Sequence, residues 1–554
     1  MVELDEETTV IARGAFWQNL TGIAVKLLAF IYTIIIARFV VQEQVGLFYF
    51  GLGVVGTISI FADLGLSQAI IRYVPYYIGK KDERLAHQTI NVAVIFGVLL
   101  LSLCSLFTYF FAGSIAAFFQ NPPLEGVLVL LAFYLAIIQS YTIANSLLFA
   151  FKRAKEAAFG ATLQSLLKLI FLLLLIFPLG ANAQMLAIGF TASYAFSAFY
   201  LLFELRKSFG WLKKGSSFTL RENASLLVRE LLPFGLIMVG SMAFAAIIIS
   251  FDRLLLGYFL KQDANAQIAI YSLATNLAGL CIIFSGSITS ILFPVASELV
   301  GREHSKDRPD WSKVNKTSQT ALKWVLFSSV PLTAFLAAFS APMLRILYGI
   351  EYEPGGLALS IFTFGMFVSY ITMIQRTVLI GMRLMYIDAL CLGVGAAVNI
   401  GLNWLLIPMY GISGSAFASF VAFLAMSLLT NHYARTKFGF QFPLSAWKNI
   451  AAGAMVFAML LAIQIAAYPS IVNLPLSFGD GLLFGVLDKL AKLALLLCFF
   501  AIGSFAYLVL INLLRLFEHD DVQVFRQIFS KFGFPAWVGA FFVRLVFWNQ
   551  KELH

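Results

Sequence analysis

Three basic residues, Lys26, Lys168 and Arg376, stand inside long apolar stretches of the sequence. Lys26 and Lys168 each lie about 11 residues into their stretch, which is near mid-depth if the stretch is a membrane-spanning helix. Cations at such positions are costly and normally face a cavity or an opposite charge. Because no comparable set of acids accompanies them, we interpret them as a cavity for a phosphate or diphosphate. The alternative is that they snorkel to the interface or contact carbonyl oxygens.

A carboxylate, Asp63, interrupts the apolar run ISIFADLGLSQAIIRY, which also carries Arg72. Nine residues at about 100° each place the two side chains on opposite faces, so they cannot pair on a straight helix. Either Gly65 breaks the helix and Asp63 caps or bends its continuation, or a partner such as Arg13 or Lys152 comes from a neighbouring helix. Asp63 is therefore predicted to be a structural or gating group near the cytoplasmic end, with Arg72 in a gate or interface ion pair.

A second acidic position lies in SFDRLLLGYF, where Asp252 directly precedes Arg253. Adjacent helical residues point about 100° apart, so each should find its own partner on another element. An interface ion pair and a coupling carboxylate both remain open for this pair. Uncharged polar residues also occur in the apolar stretches, and we interpret them individually as contacts between helices; they include Gln139, Gln164, Asn276, Gln375, Asn399 and Asn403.

The elements that position these residues are apolar helices. Of 554 residues, 60% are hydrophobic and only 12% are charged, about half the charged share of a soluble domain. Stretches of about 20 apolar residues recur from end to end and predict about fourteen transmembrane helices in an all-α polytopic membrane protein. The predicted spans are 15–37, 44–66, 89–112, 125–150, 157–178, 183–204, 231–257, 266–293, 320–346, 357–381, 386–407, 412–433, 449–467 and 489–514.

The distribution of Lys and Arg predicts the orientation. Connections after even-numbered predicted helices carry most of the basic residues, and such connections face the cytoplasm. The N-terminus is acidic and the first apolar run is too long for a cleavable signal. We therefore expect a multi-pass protein of the cell membrane with both termini in the cytoplasm.

An internal repeat divides the chain. The segments beginning at Ala150 and Gly381 share a basic turn, a helix ending in proline (Pro178, Pro408) and a basic exit to Phe-Gly, at an offset of 229 to 231 residues. Such repeats are typical of secondary transporters, whose substrate site lies between the halves. The predicted organisation is a six-helix lobe at 1–210, a cytoplasmic linker at 211–230, a second six-helix lobe at 231–440, an extra helix pair at 441–514 and an amphipathic cytoplasmic tail at 515–554.

Several functional classes are disfavoured. The net charge of +10 sits mainly in the predicted cytoplasmic loops, where topology and anionic lipid account for it, so no nucleic-acid partner is expected. The four cysteines and five histidines are dispersed, which indicates neither disulfides nor a metal site. Motifs for ATP binding, metalloprotease and serine-hydrolase chemistry are missing from the sequence. We expect a protein that is not an enzyme and has no cofactor.

The stretches FADLGLSQAIIRY and FDRLLLGYF ahead of IAIYSLATNL, with the two six-helix lobes and two extra helices, resemble the polysaccharide-transporter branch of the multidrug/oligosaccharidyl-lipid/polysaccharide (MOP) flippase superfamily. The chain is similar to O-antigen and lipid-linked oligosaccharide flippases. The resemblance implies outward movement of a polyprenyl-diphosphate-linked glycan by alternating access, and a groove for the lipid tail at the helices 449–467 and 489–514.

On this basis Lys26, Lys168 and Arg376 are expected to hold the diphosphate. The expected contacts are the lipid-linked glycan and membrane lipids, with glycosyltransferases or polymerases as candidate partners of a monomeric protein. Two alternatives stay open: a cation-coupled multidrug exporter of the same superfamily, which should have acids in its cavity, and a non-transporting scaffold of an envelope-synthesis complex.

Overall fold

The computed structural model describes residues 6–208, 226, 232–304, 310–473 and 482–516, and these are helical apart from short connections. The all-α prediction is confirmed. Most of the predicted linker 211–230 and residues 517–554 of the predicted tail lie outside the described residues. The helices are α1 (Glu6–Phe39), α2 (Gln42–Asp63), α3 (Leu66–Gly79), α4 (Glu83–Phe118), α5 (Leu124–Ala150), α6 (Ala154–Leu179), α7 (Ala183–Ser208), α8 (Leu232–Ala246), α9 (Asp252–Leu260), α10 (Ala264–Ala278), α11 (Ile282–His304), α12 (Ser312–Ala338), α13 (Ser340–Leu347), α14 (Gly356–Gly381), α15 (Met385–Phe438), α16 (Leu444–Asn473) and α17 (Leu482–Leu513).

Within the described residues, 12 helices are long and apolar enough to cross a membrane. Helices suit this environment because every backbone polar group is bonded within the segment. The 54-residue α15 is kinked at Gly411, which has non-helical angles (φ 54°, ψ −132°). The kink separates the two spans predicted at 386–407 and 412–433. The multi-pass architecture is thus shown, while the count of fourteen spans stays a prediction.

The break after Asp63 is local. Helix α2 ends at Asp63, Leu64 and Gly65 take positive φ angles of 42° and 72°, and α3 starts at Leu66. Asp63 accepts hydrogen bonds from the backbone N–H and the hydroxyl of Ser67, and from Gln139 of α5. A carboxylate that accepts a backbone N–H at a helix start satisfies a donor that lacks an intrahelical partner. Asp63 therefore holds the start of α3 in place.

The chain forms two compact units. The first contains residues 1–283 and 383–430, and the second contains 284–382 and 431–554. The candidate cavity described below lies within the first unit. The division into lobes at 1–210 and 231–440 rests on the sequence repeat and stays a prediction.

A π-helical segment, Ile247–Phe251, stands between α8 and α9 in the first unit. It inserts one wider turn into an otherwise α-helical stretch, as π-bulges near functional sites often do. Helix α9 begins directly after it with Asp252 and Arg253. The π-turn therefore sets the direction in which these two side chains leave the helix.

Candidate functional site

A cavity of about 200 Å³ lies within the first unit. It brings together two of the three basic residues selected from the sequence, Lys26 of α1 and Lys168 of α6. Both are half-buried. The other lining residues are neutral, many of them aromatic: Ala29, Phe30, Tyr32, Thr33, Phe48, Tyr49, Leu52, Phe190, Asn276 and Leu280.

Helical periodicity explains how α1 contributes to this wall. Ala29 and Phe30 stand three and four residues after Lys26, and Thr33 stands four and three residues after them, so the four share one face of the helix. All four line the cavity. One face of α1 thus carries a cation, two apolar groups and a hydroxyl toward the same space.

The two lysines meet different neighbours. The ammonium nitrogen of Lys168 lies 4.6 Å from the ring centroid of Tyr32, a cation–π contact. Lys26 and Lys168 are also close enough to repel each other. Two like charges beside an aromatic wall, with no carboxylate among the described lining residues, favour an anion between them.

On the α2 and α10 side of the cavity, Tyr49 and Asn276 form the wall. The side-chain amide of Asn276 donates to the Tyr49 hydroxyl at 3.2 Å. Behind this pair, the guanidinium carbon of Arg253 lies 5.8 Å from the Tyr49 ring centroid. Its Nε donates to the Ser272 hydroxyl at 3.0 Å. Arg253 therefore stands next to the cavity wall.

Arg376, the third predicted phosphate ligand, belongs to the second unit. It is half-buried on α14 in the second unit. The adjacent Gln375 donates to the side chain of Asn431 at 3.1 Å. Arg376 is not among the residues that line the cavity of Lys26 and Lys168.

Asp252 is fully buried in the first unit. It accepts hydrogen bonds from the Tyr271 hydroxyl, from the Asn403 amide at 2.8 Å and from the Ser419 hydroxyl at 2.7 Å. These donors are neutral, so the structure gives Asp252 a hydrogen-bond network where the sequence left an ion pair or a coupling group open. Nearby, the buried side-chain carbonyl oxygens of Asn399 and Asn403 accept no hydrogen bond from the described residues.

Asp63 and Arg72, the other acidic and basic residues selected from the sequence, contact different groups. The partners of Asp63 are Ser67 and Gln139, neither of which is a cation. The guanidinium carbon of Arg72 lies 5.3 Å from the ring centroid of Tyr73 on its own helix. The two residues lie on different helices, on either side of the break at Leu64 and Gly65.

The second unit contains an apolar pocket of about 200 Å³ between α12, α14 and α16. Helix α16 supplies four lining residues, including Gly453 and Phe457. A Cβ at Gly453 would lie 2.5 Å from a methyl group of Val330, so this glycine lets α16 approach α12 closely. The pocket is lined by one hydroxyl residue, Thr333, and otherwise by apolar residues.

The sequence did not single out the aromatic part of the site. Tyr32 and Tyr49 stand in apolar helices among many other aromatic residues, and only their position in space distinguishes them. Asn276 and Asn403 were visible as polar residues in apolar stretches, a signal that also fits simple contacts between helices. Arg253 was selected, but for an ion pair and not for its place beside a cavity.

Known proteins with similar sequences include one family and several membrane proteins. Residues 11–300 match the model of the polysaccharide biosynthesis protein family. An uncharacterized membrane protein of Methanocaldococcus jannaschii is 24% identical over 426 residues, which is 75% of this chain and 82% of the relative. The probable low-salt glycan biosynthesis flippase Agl15 of Haloferax volcanii is 22% identical over 246 residues, or 43% of this chain and 48% of the relative.

Solved structures share the fold. The lipid II flippase MurJ in an inward closed conformation matches with a TM-score of 0.64 and 18% identity, over 88% of this chain and 98% of MurJ. An inward-facing multidrug resistance transporter of the MATE family matches with a TM-score of 0.60 and 14% identity, over 76% of this chain and 94% of that one. The family model covers more than half of the chain, and this protein belongs to the polysaccharide biosynthesis protein family.

Proposed function

We propose that the protein moves a polyprenyl-diphosphate-linked oligosaccharide from the cytoplasmic to the outer leaflet of the cell membrane by alternating access. The observation that carries this proposal is the shared cavity of Lys26 and Lys168, which has no carboxylate among its described lining residues. Two cations in an apolar environment are stabilised by an anion. A diphosphate supplies two negative charges in one group, which matches the pair.

Electrostatics favours outward movement of such a headgroup. A charge crossing the membrane potential changes its free energy by about 2.3 kcal/mol per 100 mV. With an inside-negative potential, about two negative charges moving outward gain roughly 4–5 kcal/mol per 100 mV. Transport in this direction needs no ATP site.

The apolar pocket of the second unit supports a place for the lipid tail. Its residues come from α12, α14 and α16, the last of which covers the predicted span 449–467. A polyprenyl chain is a branched hydrocarbon, and its transfer to an apolar pocket needs no polar partner. The predicted cytoplasmic termini, a monomeric state and glycosyltransferase or polymerase partners belong to the same proposal.

Asp252 is proposed to couple transport to a cation. The hydrogen-bond donors to this fully buried carboxylate are neutral, so none of them brings a positive charge to it. Oxygen atoms without a hydrogen-bond donor among the described residues lie on the adjacent Asn399 and Asn403. Carboxylate and amide oxygens bind hard cations, and a carboxylate also binds a proton. Asp252→Asn should therefore abolish any dependence of transport on a Na⁺ or proton gradient.

Transport in liposomes tests the main proposal. The purified protein is reconstituted with a fluorescent polyprenyl-diphosphate glycan or with a cationic dye, and movement of each is followed with and without an imposed potential. We expect the glycolipid to move and the dye to stay. Movement of the glycolipid should be faster when the compartment it leaves is electrically negative. The double variant Lys26→Gln/Lys168→Gln should lose movement of the glycolipid.

The matched control removes two exposed lysines, Lys313 and Lys316, by the same substitution and should retain transport. Movement of the dye but not of the glycolipid would favour the multidrug exporter. Movement of neither by well-folded protein would favour the scaffold. Either result overturns the proposed function.

A further inference from the structure

We propose that Arg253 is a third phosphate-binding residue of the headgroup cavity, and that it selects a diphosphate over a monophosphate. This inference rests on the proposed function. It departs from the sequence-based expectation, which gave that role to Arg376. It is argued from the surroundings of Arg253 within the first unit.

The aliphatic part of the Arg253 side chain lies against α2 at Gly53. A Cβ placed on Gly53 would lie 3.3 Å from Cβ of Arg253 and 3.1 Å from a methyl group of Leu254. Gly53 thus leaves room for α9 to lie against α2. The close approach brings the guanidinium to the level of Tyr49, which stands four residues earlier on the same face of α2.

The guanidinium has few partners of its own. Its Nε donates to Ser272, and its contact with the Tyr49 ring, at 5.8 Å, is near the outer limit of a cation–π interaction. Within the described residues, Arg253 forms no ion pair. An arginine stays protonated in proteins, and one that stands half-buried in an apolar span without a hydrogen-bonded anion is costly. Its two terminal nitrogens are therefore suited to a ligand.

The neighbouring Asp252 lies close enough to attract Arg253 but, among the described residues, forms no hydrogen bond with it. Its side chain leaves the helix about 100° away from that of Arg253 and is engaged with Tyr271, Asn403 and Ser419. Their hydrogen-bond partners are consecutive residues of α10. Tyr271 donates to Asp252, and Ser272 accepts from Arg253. Asp252 thus attracts Arg253 through space but takes none of its N–H groups, which stay available to an anion on the cavity side.

Tyr49, which contacts Arg253, and its hydrogen-bond partner Asn276 both line the cavity. Asn276 stands one turn after Ser272 on α10, so the two partners share a helix face. A shift of the Tyr49 ring would open the wall and let the guanidinium reach a phosphate that is bound to Lys26 and Lys168. The planar fork of arginine can bind a phosphate through two N–H groups, which lysine cannot do.

Binding of short soluble probes tests this role. Farnesyl diphosphate and farnesyl monophosphate carry the same tail and differ by one phosphate, so their affinity ratio reports on the second phosphate alone. Affinities for detergent-solubilised full-length protein are measured by calorimetry. We expect Arg253→Gln to weaken diphosphate binding by about 10-fold or more and monophosphate binding much less, since a hydrogen bond to a charged group contributes about 1.5–3 kcal/mol.

Arg253→Lys keeps the charge but loses the fork, and we expect it to fall between the other two proteins. Arg302→Gln removes an exposed arginine and should leave the ratio unchanged. An unchanged ratio in Arg253→Gln, or an equal loss for both probes, would overturn the inference. If Arg253→Gln is not recovered in folded form, the ratio in Arg253→Lys decides in the same way.

The two proposals fail differently. Loss of binding in Lys26→Gln/Lys168→Gln with normal selectivity in Arg253→Gln would remove Arg253 from the site and leave the proposed function intact. Failure of wild-type protein to bind farnesyl diphosphate would contradict the headgroup cavity itself, and the role of Arg253 with it.

Discussion

Gly46 and Asn265 are in contact through their backbones: a Cβ atom on Gly46 would lie 1.6 Å from the carbonyl oxygen of Asn265. Gly46 stands near the start of α2 and Asn265 near the start of α10. The amide of Asn121 also donates to the side chain of Asn265, at 2.7 Å. Two helix ends and the connection before α5 thus meet at one point, and only glycine fits there.

Gly46→Ala should separate these helix ends. The methyl group cannot be accommodated beside a backbone carbonyl, so we expect a loss of about 1–3 kcal/mol of stability, as for other overpacked sites. A cysteine introduced at Asn265 should then react faster with a soluble maleimide. Gly56→Ala on the same helix is the control, since a Cβ there meets no atom within 4 Å. Equal labelling in the two variants would show that the added methyl group does not separate the two helix ends.

The contact between Tyr32 and Lys168 predicts an effect on anion binding. Tyr32→Leu removes the ring that stabilises the ammonium group, and we expect farnesyl diphosphate to bind about 0.5–2 kcal/mol more weakly. Tyr32→Phe keeps a ring and should bind nearly as wild type does. Calorimetry on both variants gives the comparison. Similar losses in the two would assign the role to the hydroxyl group and refute a cation–π contribution.

Asp63→Asn should impair folding and spare the ligand site. One of the donors to Asp63 is a backbone N–H and another is the amide of Gln139. An asparagine side chain cannot accept all three bonds on one oxygen as well as a carboxylate does, and we expect a loss of about 1–3 kcal/mol. Thermal unfolding in detergent measures it. Ser67→Ala, which removes a single donor, should cost less.

Asp63 is not among the residues that line the cavity of Lys26 and Lys168. Diphosphate binding by Asp63→Asn should therefore be normal. Complete loss of binding in well-folded Asp63→Asn protein would place Asp63 in the substrate path and contradict a structural role.

Tyr271→Phe should weaken the network around Asp252. The variant removes one of the neutral donors to a buried carboxylate, and we expect about 1–3 kcal/mol of destabilisation. Tyr258→Phe, at a tyrosine that is 39% exposed, is the control. Unfolding curves of both variants measure the loss of stability. If Tyr271→Phe is as stable as the wild type, the network does not need this donor, as expected for a protonated Asp252.

Much of the fold follows from local sequence. Span lengths and charge breaks place α2 within a few residues, and Gly65 marks its end because glycine tolerates positive φ. Counting residues at 1.5 Å each puts Lys26 and Lys168 at similar depth. Depth alone does not decide which residues share a cavity, and the role of Arg376, whose helix belongs to the other unit, stays a prediction.

The partners of Asp252 show what local patterns leave out. Asn403 and Ser419 are 151 and 167 residues away in sequence, and the kink at Gly411 lies between them. A polar residue in an apolar helix gives no indication of which distant residue it meets. The network is a product of tertiary packing, as is the position of Tyr49 beside Arg253.

The π-helical segment Ile247–Phe251 gives α8 and α9 one residue of spare length. If this turn tightened to an ordinary α-helical turn, α9 would advance by about 1.5 Å and rotate by about 100° relative to α8. That rotation equals the angle between Asp252 and Arg253. A single change of pitch would then turn one of the two side chains into the direction that the other now takes, between the cavity wall and the carboxylate network.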